Sequence, residues 1–178
     1  IDAGMDYVIS KPYKNEEIEN GRKRACPFEF LKTGNFMNRA PTKCGECEAA
    51  LNAKELSLFD CPCEKGKPLV AVDLCCGAGG FAEFVQLHAA RTGRIVKVIG
   101  STLAEESASL RCNPALFHSD AHPANFHLVY GPKGGDLCAP ETIDALAQVV
   151  QRQTDGHGVQ LVVADGGIET GRGENQEV

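Results

Sequence analysis

Three features of the sequence predict an α/β fold built on a mostly parallel sheet. Two apolar runs, Leu69 to Val72 and Val159 to Val163, lead into the acids Asp73 and Asp165. Each acid is followed closely by glycines, Gly77, Gly79 and Gly80 in the first case and Gly166 and Gly167 in the second. Between them, strand-like and helix-like segments alternate, and strands linked through helices lie parallel in one sheet.

The elements follow in order. Residues 1 to 25 are polar and charged, punctuated by Gly4, Pro12 and Gly21, and read as an exposed lead-in with a short helix near Glu16 to Asn20. Residues 26 to 178 read as one domain. Pro41 suits a first helical turn, and Thr42 to Leu56 is rich in the helix formers Ala, Glu, Lys and Leu. Residues 59 to 68 form a loop. Leu69 to Leu74 is the first strand, Gly80 to Arg91 the next helix and Arg94 to Gly100 the second strand. A weaker strand is expected at Ala115 to His118, within a stretch, Ser107 to Lys133, whose pattern is otherwise irregular. Glu141 to Gln153 is a helix with Ile143, Leu146, Val149 and Val150 on one face, and Val159 to Asp165 is the last strand.

Composition narrows the function. The 178 residues are 43% hydrophobic, enough for a core, and carry a formal net charge of −6. That charge disfavours indiscriminate coating of nucleic acid, which needs many cations against phosphates. It leaves room for a local basic site, and Arg22-Lys23-Arg24 is the dense basic cluster. No run approaches the ~18 apolar residues of a membrane helix, and the N-terminus lacks a signal-peptide layout. Nine cysteines without a secretory signal are expected as free thiols. The chain begins at Ile1 rather than Met and reads as a segment of a longer polypeptide.

Asp73-Leu74-Cys75-Cys76-Gly77-Ala78-Gly79-Gly80-Phe81 departs from the G-x-G-x-x-G spacing of dinucleotide sites. It resembles motif I of S-adenosylmethionine-dependent methyltransferases in its FtsJ-like variant, and so implies a Rossmann-like methyltransferase fold. A buried strand with a ligand-free glycine turn is the alternative. Asp165 repeats the strand-acid-glycine order. In a parallel sheet both acids would meet in one crevice beyond the strand ends, although a turn-initiating Asp bonded to its own backbone has the same look.

Four blocks extend the likeness. They are Arg22 to Glu29 with Phe36 to Ala40 and Lys43; Asp73 to Phe84; Gly100 to Leu103; and Ala164 to Gly167 with Gly171 and Glu174 to Glu177. Taken in order, they resemble the mRNA cap 2′-O-ribose methyltransferases that form cap 1. That family uses a Lys-Asp-Lys-Glu tetrad. The resemblance assigns Lys43 and Asp165 to its first two members, as groups that orient and polarise the site. The second lysine, the usual base, and the glutamate would follow Val178 with the later strands, so that the domain is expected to be truncated at its C-terminus and inactive alone.

The resemblance further implies that S-adenosylmethionine contacts Asn38, Asp73, Cys76, Gly77, Gly79, Gly80, Thr102, Leu103 and Asp136. A solvated loop acid is the alternative for Asp136. It assigns Arg22, Arg24, Glu174 and Asn175 to the capped RNA, with a solvated charge cluster as the alternative for the two arginines. Arginine suits phosphate through its planar fork, and Glu174 has the carboxylate that accepts from base amines. Capped mRNA is the implied substrate, with other capping or transcription proteins as partners, no membrane, and the nucleus, then the cytoplasm, as the place of action. Two rival readings stand beside the enzyme. One is a non-catalytic RNA- or protein-binding module that retains the fold. The other is a zinc domain on Cys44, Cys47, Cys61 and Cys63, whose spacing approaches a four-thiolate site.

Overall fold

The computed structural model describes residues 40–62, 66–104 and 123–166, with 36–38, 112, 113, 117 and, nearer the N-terminus, 16, 17, 20, 21 and 24. The chain divides into two compact units, residues 1–34 and 35–178. In the first, Glu16, Glu17, Asn20, Gly21 and Arg24 are helical.

The second unit runs α1 (Ala40–Asn52), β1 (Leu69–Leu74), α2 (Gly80–Arg91), β2 (Val96–Ser101), a 3-10 turn (Pro123–Asn125), β3 (Phe126–Val129), α3 (Pro140–Gln153) and β4 (Leu161–Ala164). The four strands form one sheet in the order β3-β2-β1-β4. Every pairing is parallel, with Asp73 opposite Gly100 on one side and Val163 on the other. The chain steps outward from β1 to β3 and then returns to β1's free side as β4. That reversal makes a topological switch point between β1 and β4, the place where open α/β sheets bind ligands.

Both faces of the sheet are covered, which explains why β1 is an unbroken apolar run rather than an alternating one. Leu69, Ala71, Val96, Val98 and Phe126 pack with Cys44 of α1 and with Phe84, Val85 and Leu87 of α2. Val70, Val72, Ile99 and Val129 pack on the opposite side with Leu146 and Val149 of α3.

Several boundaries differ from the sequence expectation, each for a local reason. α1 stops at Asn52, not Leu56. Leu56 N–H bonds Leu51 O at 3.1 Å and Glu55 N–H bonds Asn52 O at 3.0 Å, a Schellman closure with Glu55 in the left-handed region at φ 58°. β2 starts at Val96 because the Arg94 N–H still closes α2 on Ala89 O at 2.9 Å, while its guanidinium donates to the carbonyls of Phe59 and Cys61. β4 starts at Leu161 because the Val70 N–H donates to the Gln160 side-chain Oε1 at 2.8 Å in place of a strand carbonyl. Of the expected strand at Ala115 to His118 only Phe117 is described, as a bend, and the other three residues lie outside the described residues. The third strand is Phe126–Val129 instead. In α3, Ile143 is 46% exposed and Thr142 takes the inward position beside Leu146 and Val149.

Candidate active site

The site is built around the turn from β1 to α2. Cys76 N–H bonds Ser101 O at 2.8 Å, tying the turn to the end of β2, and Gly79 N–H bonds Cys76 O at 2.8 Å. Gly79 caps α2 with φ 97°, and a Cβ there would lie 2.6 Å from the Phe117 ring. Only glycine satisfies both conditions.

Asp73 sits beneath this turn, 1% exposed. Its Oδ2 accepts the Ala82 N–H at 3.1 Å, satisfying one of the unpaired donors of α2's first turn. Burial pushes its carboxyl up from 3.8 to about 7; the Asp165 carboxylate adds to the rise, and the Ala82 bond opposes it.

Lys43 reaches the same rim from α1. Its Nζ donates to Asp165 Oδ2, just past the end of β4. The neighbouring Cys44 faces inward, and burial, then the charges of Asp73, Cys47 and Asp165, push its thiol up to about 12 against the opposing pull of Lys43. Asp73, Asp165, Lys43 and Cys44 therefore occupy one electrostatic neighbourhood, with one cation set against two acids.

The remaining candidates fall around this pair. Asn38 accepts the Ala40 N–H through Oδ1 at 2.9 Å and lies against Gly80, where a Cβ would also come within 2.9 Å of Ala40 and Pro41. Thr102 is buried and Leu103 is exposed. The loop that carries them is joined to the glycine-rich loop by Ala104 N–H to Gly134 O at 2.8 Å, which brings Asp136 to the same region. Asp136 Oδ1 accepts the Cys138 N–H at 2.9 Å, so the self-bonded turn geometry is present, while its other oxygen has no partner among the described residues.

Cys76 differs from the rest of its group. Its side chain is buried, lies beside Gly100 and directs its thiol to Gly77 O at 4.0 Å, with the Cys112 thiol raising its pKa. Its N–H is used on Ser101 O at the end of β2 and its carbonyl within the turn, by Gly79 N–H.

Arg22, Glu174 and Asn175 lie outside the described residues, and Arg24 is helical and exposed in the first unit. Of the zinc candidates, Cys63 lies outside the described residues, Cys44 is in the core and Cys47 is exposed. Among the described residues no group of three or more His, Cys, Asp or Glu is placed to hold a metal. Three residues at the turn escaped the sequence reading. Cys112 and Phe117 crowd Gly79 from a stretch with no usable period. Glu83 had a visible signal, an acid inside the apolar run Phe81 to Val85.

Comparison with known proteins agrees with this geometry. The FtsJ-like methyltransferase family matches residues 36–178. The chain is 32% identical over 181 residues to cap-specific mRNA (nucleoside-2′-O-)-methyltransferase 1 of Mus musculus, covering 92% of this chain and 20% of that protein. Identity to the Homo sapiens protein of the same name is also 32%, over 182 residues and the same shares. An inactive cap-specific mRNA (nucleoside-2′-O-)-methyltransferase 1B of Caenorhabditis briggsae is 28% identical over 187 residues, 92% of this chain and 21% of that protein. The chain thus spans about a fifth of the length of the curated relatives it matches. On the family match, on the parallel sheet with its switch point, and on the acid-glycine turn at that point, this chain belongs to the FtsJ-like methyltransferases.

Proposed function

We propose that this chain supplies the cofactor-binding part of an RNA 2′-O-methyltransferase that acts on the ribose of the first transcribed nucleotide of capped mRNA. The observation that carries the reading is the Lys43–Asp165 ion pair at the switch point of the sheet. It is supported by the names of the relatives and by the order of the motifs.

The donor set fits S-adenosylmethionine. The half-exposed Asp165 and, beneath the turn, the buried Asp73 are the acids that an ammonium group would meet. The N-terminus of α2, opened by Gly79, faces the turn with its positive end and suits a carboxylate. Thr102, Leu103 and Asp136 offer an apolar side chain and an acceptor to a nucleoside. With Asn38, Gly77 and Gly80 these residues would hold the cofactor, and Cys76 would serve by shaping the turn. When bound, the cofactor supplies an electrophilic methyl group on a sulfonium.

The chain's own residues act on the other reactant. A ribose hydroxyl is a weak nucleophile, and much of the barrier reduction comes from holding it in line. Asp165 fixes the Lys43 ammonium at the rim, and the half-exposed Nζ keeps donors for a hydroxyl oxygen. Arg22, Arg24, Glu174 and Asn175 carry the capped RNA on this reading. Its place of work is the nucleus, beside other capping or transcription proteins. Among the described residues no helix is long and apolar enough to cross a membrane.

The inactive Caenorhabditis relative matches the same share of the chain. Transfer must therefore be measured, not inferred from cofactor binding. The test incubates the full-length natural protein with capped RNA and methyl-labelled S-adenosylmethionine. Label on the 2′-oxygen of the first nucleotide is expected. Cofactor binding without transfer would replace the enzyme with a binding module.

A further inference from the structure

Among the described residues, Glu83 is the one fully buried acid that the catalytic reading leaves unused. It lies in the first turn of α2 and is 0% exposed. A carboxyl taken out of water costs several kcal/mol unless it is hydrogen-bonded. The helix dipole favours an acid in this turn, but an exposed acid would gain the same benefit without the burial cost. What burial adds here is direction. Glu83 Oε2 accepts the Met37 backbone N–H at 2.8 Å, across 46 residues of chain.

Met37 is the residue before Asn38. Asn38 in turn holds the Ala40 N–H at the start of α1 and rests against Gly80. Pro41 is fully buried at the same junction, and its Cδ would lie 2.9 Å from a Cβ added at Gly80. Phe36 meets Phe84 with ring centroids 6.2 Å apart, closing the apolar side of the contact. The Glu83 carboxyl thus fixes the polar side of the approach of residues 36–38 to α2. Lys43 stands one turn further along α1.

We propose that Glu83 is a positioning residue: through the Met37 N–H it sets Asn38 against the glycine turn and, by way of the first turn of α1, sets Lys43 against Asp165. The proposal rests on the cofactor reading above for its functional consequence, and on the Met37 contact for its structural one.

The test uses the full-length natural protein and two readouts. The first is the dissociation constant for S-adenosylmethionine by calorimetry, in wild type, Glu83→Ala, Glu83→Gln, Asn38→Ala and the Glu83→Ala/Asn38→Ala double variant. Loss of one buried hydrogen bond predicts roughly tenfold weaker binding in Glu83→Ala. Glu83→Gln keeps an acceptor oxygen and is expected within about threefold of wild type. If Glu83 acts through Asn38, the double variant is no weaker than Asn38→Ala alone; independent action would make it roughly tenfold weaker than Asn38→Ala, and that result overturns the proposal.

The second readout is hydrogen exchange of the Met37 and Ala40 amides in wild type. Both are expected to exchange slowly, with Met37 released by Glu83→Ala and held by Glu83→Gln. A Met37 amide that exchanges as an open loop in the folded wild type overturns the proposal even if Glu83→Ala does not fold. Wild-type protein that fails to bind the cofactor overturns the site reading instead, and the exchange measurement then decides the positioning role on its own.

Discussion

Lys43 on α1 and Asp165 beyond β4 are 122 residues apart in sequence and joined by a direct ion pair. Their side chains are 54% and 48% exposed. Exposed pairs contribute only about 0–1 kcal/mol to stability, so the pairing is poorly explained as a device for holding the fold. It is well explained as a way to hold an ammonium in one place at the rim.

Asp165→Ala and Lys43→Met are therefore expected to leave unfolding free energy within about 1 kcal/mol of wild type, while cutting methyl transfer by at least about 100-fold in the full-length natural protein. Urea unfolding and the labelled-methyl assay check the two halves. Undiminished transfer by Asp165→Ala would remove the central argument for catalysis.

Asp73 predicts a pH dependence. Its folded carboxyl titrates at about 7 against an ordinary 3.8, so between those values the folded protein keeps a proton that the unfolded chain releases. Stability from this group is full below the ordinary value, falls as pH rises toward 7, and is level above it. Each pKa unit corresponds to about 1.4 kcal/mol. Asp73→Asn is expected to flatten the slope between pH 4 and 7 and to be more stable than wild type at pH 8, by denaturant unfolding at a series of pH values. A wild-type protein that gains stability over that interval would contradict the burial argument.

The legible parts of this fold were those with a strong local rule. β1 and α2 were readable to the residue because an apolar run, an acid and a glycine turn leave little choice. The end of α2 was marked by Gly93 in the left-handed region at φ 69°. The end of α1 uses the same closure with Glu55, a residue that gives no such signal, and was therefore placed too late. β3 was missed because Phe126–Val129 is four residues long and carries an exposed His127. Lys43 and Asp165 were readable only as members of a family pattern. No periodicity connects a lysine on a helix face to an acid on the far side of two βα units. Glu83 and Cys112 act through tertiary contacts that sequence spacing does not encode.

Gly79 carries a packing prediction. Its φ of 97° and the Phe117 ring 2.6 Å from a would-be Cβ are separate penalties. Gly79→Ala is expected to cost about 2–4 kcal/mol, the sum of backbone strain and overpacking. Gly93→Ala has the positive φ but nothing within 4 Å of its Cβ, and is expected to cost about 1 kcal/mol. Parallel urea titrations measure the difference. Equal losses at the two positions would mean that Phe117 does not crowd the turn.

The cysteines predict a reactivity order. Cys47, Cys75 and Cys138 are exposed, whereas Cys44, Cys76 and Cys112 are buried. Only the thiolate reacts with an alkylating agent. Burial holds the Cys44 thiol at about 12. The hydrogen bond to Cys112, and burial after it, hold the Cys76 thiol above its ordinary value. In the folded protein at pH 7.5, iodoacetamide followed by peptide mass spectrometry should therefore find Cys47, Cys75 and Cys138 modified first. Cys44 and Cys76 should lag by more than about 1000-fold, the factor set by the unfolding equilibrium of a marginally stable domain. Denaturant should abolish the difference. Rapid modification of Cys76 in the folded state would show that its thiol faces the ligand side of the turn.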